Sequence, residues 1–164
     1  MATYAGQNVG AGKLERISRG MKSTCLLGLG YSVLACVVLV FFGGTIALLF
    51  VNPSETLIIQ QVSWFLAANS AFFFPLALVN IVRFTIQGLG FSRFAILAGV
   101  CEMAARSLVA MALVPMFGYA AICLASPAAW VLADLFLVPA YLYVMKKLRQ
   151  QGLADSQLSS GVAE

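Results

Sequence analysis

Residues 24–51, TCLLGLGYSVLACVVLVFFGGTIALLFV, contain no charged side chain, and the charge-free run extends from Lys22 to Glu55. About 20 consecutive apolar residues are enough for a helix to cross a ~30 Å hydrocarbon core. This stretch therefore reads as a first membrane span, and it makes lipid the solvent of the chain. Asn52, Pro53 and Ser54 then supply turn chemistry. A second span covers 57–87, uncharged until Arg83, with Pro75 near its middle. A proline there removes an N–H and bends the helix, so Pro75 is the expected kink. Gly88, Gly90 and Ser92 form a tight connection to a third span over 93–114, closed by Pro115 and Gly118. A fourth runs over 121–145, with Pro127 in its first turns, and ends at Lys146, Lys147 and Arg149.

Composition agrees with this reading. Of 164 residues, 62% are hydrophobic and 10% charged, against roughly 25% charged in a soluble domain. The expected fold is an all-α integral membrane bundle of four transmembrane helices. Residues 1–22 would be a cytoplasmic loop and amphipathic segment, 23–149 the membrane domain, and 150–164 a disordered cytoplasmic tail. Histidine is absent, which removes the commonest general base and metal ligand. That speaks against an enzyme, a metal site or a cofactor. The four cysteines, Cys25, Cys36, Cys101 and Cys123, show no CxxC spacing and read as small core residues.

Basic residues are distributed unevenly. Lys13, Arg16, Arg19 and Lys22 precede the first span, Arg83 and Arg93 flank the second turn, and Lys146, Lys147 and Arg149 follow the fourth span. The other two connections carry none, so both termini should be cytoplasmic in a multi-pass protein of the cell (inner or plasma) membrane. The run 13–22 alternates with Leu14, Ile17 and Met21, as in a helix lying on the membrane surface. The glycines before Lys13 do not make a phosphate loop, because Ala11 and Leu14 break the required spacing. Nucleic acid is not an expected partner.

Three charges lie inside spans. Glu102 and Arg106 are four residues apart on one helical face, and Asp134 is in the fourth span. At ~1.5 Å per residue, Glu102 and Arg106 lie ~14 and ~20 Å from Arg93, and Asp134 ~18 Å from Lys146. The three are therefore level, and Arg106 is expected to bridge Glu102 and Asp134. One acid would remain uncompensated. The trio can be read as a register clamp or as a coupled proton or cation site. Gln61, Asn69, Ser70 and Asn80 are strung along the second span, either lining a cavity or joining helices.

Gln7-Asn8-Val9-Gly10-Ala11-Gly12-Lys13 with Arg16-Ile17, Gln87-Gly88-Leu89-Gly90, the Glu102 and Arg106 pair, and Ser126-Pro127-Ala128-Ala129-Trp130 occur in this order. Together they resemble motifs of MATE (multidrug and toxic compound extrusion) transporters. The resemblance implies that the spans correspond to helices 9–12 of a twelve-helix protein, with residues 1–9 as the tail of the preceding helix. The missing N-terminal transporter half would be the partner. It further implies an antiporter that exports small organic, often cationic, compounds in exchange for Na+ or H+. The second span lacks the acidic residue that one branch of the family carries there, so that site does not transfer. The alternatives are a lipid-linked sugar flippase of the same superfamily and a stand-alone four-span dimeric membrane protein.

Overall fold

The computed structural model describes residues 1–161, with side chains described through Gly152. The order is α1 (Ala2–Gly10), α2 (Leu14–Ala47), α3 (Thr56–Ser70), α4 (Phe73–Gly88), α5 (Ser92–Phe117) and α6 (Tyr119–Gly161). Three helices are long and apolar enough to cross a membrane, or four if the bent pair α3 and α4 counts as one span.

The first span begins earlier than the charge-free run suggests. Lys13 is the N-cap of α2, so the basic residues form its opening turns rather than a separate surface helix. An established helix adds residues without repeating the nucleation cost, and the lysine and arginine side chains permit this extension. α3 and α4 meet at Ala71 and Phe72 with a bend of 50°. Pro75 is the third residue of α4. Its ring and missing N–H leave the Ala71 carbonyl without the usual helical donor, so the break falls one turn before the proline.

Pro115 lies inside α5, which continues to Phe117. Gly118, at φ +56°, is the only residue between α5 and α6, and a side chain there would be strained. Pro127 and Pro139 are both inside α6. Pro127 is fully buried in the helix interior, not in the first turns. Helix also covers 150–161, in place of the disordered tail that the polar composition suggests, again by propagation from a formed helix. Residues 162–164 lie outside the described residues.

Two clusters hold the helices together. Met21, Val79, Val82, Ile86, Ala98, Trp130, Ala133 and Leu137 join α2, α4, α5 and α6 at mid-height. Ala5, Ile17, Leu89, Val144 and Met145 draw α1, the start of α2 and the ends of α4 and α6 to one end. α2 approaches α3 and α4 through small residues: a side chain at Gly28 would meet Ile81, and one at Gly43 would meet Leu66. Such close backbone contact is the common way for helices to associate in lipid. In its most apolar window α6 is 39% buried and α2 only 6%. α6 is therefore central, while α2 presents Leu26, Tyr31, Phe41 and Phe42 outward.

Candidate functional site

The tight turn at Gly90, φ +87°, folds α4 against α5 and brings a charged group together. Arg83 Nη2 lies 2.6 Å from Glu102 Oε2, and Arg106 Nη2 lies 2.5 Å from Glu102 Oε1. The Glu102 and Arg83 side chains are 14% and 22% exposed, and that of Arg106 is 45% exposed. One carboxylate thus accepts from two guanidinium groups, one on a neighbouring helix and one a turn further along its own. Charge-assisted hydrogen bonds of this kind are short and comparatively strong.

Asp134 is not part of this group. It makes no ion pair among the described residues, and its Oδ1 is buried without a hydrogen-bond partner. The expected bridge from Arg106 to Asp134 is replaced by the one from Arg83 to Glu102. Depth makes groups level, but the rotation of each helix decides which way they face. Arg106 turns to the open side of α5. Arg83 Nε and Trp130 Nε1 are also buried without partners, and Trp130 is one turn from Asp134 on α6.

The polar residues of α3 and α4 mostly bond backwards along their own helices. Asn69 Nδ2 donates to the carbonyl of Phe65 at 2.9 Å and to that of Cys123 on α6 at 3.4 Å. Asn80 Nδ2 donates to the Leu76 carbonyl at 2.8 Å. Ser70 is buried and donates to the Ala67 carbonyl at 3.1 Å, with Cys36 Sγ on α2 at 3.6 Å. Bonding to a preceding carbonyl satisfies such groups where water is scarce. Ser70 also borders a cavity of about 260 Å³ with Ser32 and Cys36. Gln61 lines a larger one of about 450 Å³ between α3 and α6, with Gln60, Trp64, Tyr119 and Cys123. Tyr119 Oη donates to the Gln61 carbonyl at 2.9 Å and ties the two helices there. Trp64 and Tyr119 give that cavity aromatic faces of the kind that attract organic cations.

Two features are not legible in the sequence. Arg83 reads as a flanking charge because it lies close to a turn. Its side chain points inward because it donates to Glu102 on the adjacent antiparallel helix. The cavity beside Trp64 depends on how α3 packs against α6, which no local pattern reveals. Cys101 is exposed on α5, which corrects its reading as a core residue.

The MatE family profile matches residues 1–116, more than half of the chain. No curated protein and no solved structure matches it.

Proposed function

The chain belongs to the MatE family of transporters, and on that premise we propose that it forms four membrane-crossing helices of a drug-exporting antiporter. In this reading α2, the bent α3–α4 pair, α5 and α6 each cross once. Both termini are cytoplasmic, because the basic residues other than Arg83 and Arg106 gather at the end held by Ile17, Leu89 and Val144. The apolar faces that α2 and α5 leave exposed are available to lipid and to the helices of a second bundle. Small organic cations would be exported in exchange for Na+ or H+.

The observation that carries the coupling assignment is the partnerless Asp134 oxygen on the most central helix. An acid that is buried among apolar helices and not neutralised by a base is a group able to take up a proton or a cation. Glu102, held between two arginines, is not free to do so and acts as a clamp.

Export of a fluorescent organic cation from membrane vesicles tests the division of roles. Asp134→Asn is expected to abolish export driven by an imposed proton or sodium gradient while leaving the unfolding temperature unchanged or higher. Unchanged export by that variant would remove Asp134 from the coupling step.

A further inference from the structure

At the basic end, Gly12 takes φ +67° and turns the chain from α1 into α2. Lys13 and Arg16 then face a cleft of about 720 Å³ together with Arg19 from α2 and Arg149 from α6. Glu15 is the only acid lining it among the described side chains. It lies 3.7 Å from Arg19 with both side chains more than 80% exposed, so it neutralises little. Lys13, Arg16 and Arg149 make no ion pair among the described residues. Four cations from two helices converge on one space and repel one another unless an anion joins them.

The depth of the cleft indicates the anion. Arg19 and Arg16 stand five and eight residues before Thr24, ~8 and ~12 Å above the start of the uncharged run. Arg149 is four residues past Met145, ~6 Å beyond the apolar part of α6. The polar layer of a bilayer is ~5–8 Å thick on each side, so Arg19 and Arg149 stand at headgroup level and the long side chain of Arg16, about one turn further out, can reach back to it. At Arg149 the cleft adjoins a second one of about 280 Å³, lined by Ser18, Tyr141, Leu142, Met145, Lys146 and Gln150. A charged opening that leads past Lys146 onto the side chains of Tyr141, Leu142 and Met145 suits a molecule with a phosphate head and an acyl tail.

We propose that this cleft binds an anionic phospholipid, its phosphate held by Arg16, Arg19 and Arg149 and the start of a chain resting along Tyr141, Leu142 and Met145. Guanidinium groups match phosphate oxygens in paired hydrogen bonds, and basic pockets between membrane helices are recurrent sites for such headgroups.

Native mass spectrometry of the purified full chain, titrated with phosphatidylglycerol or phosphatidylcholine, tests this. One phosphatidylglycerol should be retained in preference to phosphatidylcholine. Arg16→Gln with Arg149→Gln should weaken retention by roughly fivefold per charge removed, and Arg16→Lys with Arg149→Lys should restore only the part that charge alone supplies. Removing two charges at the same end but outside the cleft, Arg93→Gln with Lys147→Gln, should leave it unchanged. Equal loss in the cleft and control pairs would overturn the proposal in favour of diffuse surface charge. So would equal retention of the two lipids. Displacement of the lipid by inorganic phosphate at the lipid's own concentration would show a site for free anions instead.

Discussion

Arg83 on α4 and Glu102 on α5 form an ion pair at 2.6 Å that joins two different helices. Axial position explains how they meet. Arg83 is five residues from the end of α4 and Glu102 ten from the start of α5, ~7 and ~15 Å from the shared turn. The long arginine side chain spans the difference. Glu102→Ala would strand two cations, one of them mostly buried. Removing one partner of a buried pair typically costs about 3–5 kcal/mol. A large fall in the midpoint of thermal unfolding in detergent is expected, and Glu102→Met with Arg83→Met should recover much of it.

Arg106 contacts the same carboxylate but is 45% exposed and lies on the same helix, four residues on. Without Arg106, Glu102 keeps its bond to the less exposed Arg83 on the neighbouring helix. Arg106→Ala is therefore expected to shift the same unfolding midpoint far less than Arg83→Ala does. Equal shifts would show that Arg106 has a structural role its exposure does not suggest.

Much of the fold is legible in the sequence because charge is so costly in lipid. The uncharged run after Lys22, the two glycine turns and the pairing of Glu102 with Arg106 all follow from spacing alone. What escapes is rotational. The ~1.5 Å rise per residue places Glu102, Arg106 and Asp134 at one level, but which faces meet is set by packing between the helices, with Ala98 of α5 in one cluster with Trp130, Ala133 and Leu137 of α6. The bend is similarly half legible. Pro75 signals it, yet the break occurs at Ala71 and Phe72, where the missing proline N–H would have bonded.

Pro75→Ala isolates the cause of the bend. Alanine returns an N–H that can bond the Ala71 carbonyl and extend α4 backwards into α3. Electron paramagnetic resonance distances between spin labels at Leu57 and Phe84, both exposed, should lengthen as the 50° bend straightens. No change would mean that contacts with α2 and α6, not the proline, impose the angle.

A bent α3–α4 pair that makes one crossing places the turn at Asn52–Ser54 opposite the turn at Gly90. The most direct test of this topology is labelling of single cysteines by a membrane-impermeant thiol reagent, in a chain whose four native cysteines are replaced. Ser54→Cys and Ala120→Cys should react from one side of the membrane, and Ala11→Cys and Ser92→Cys only from the other. Reaction of Ser54→Cys and Ser92→Cys from the same side would make α3–α4 a re-entrant hairpin instead of a crossing.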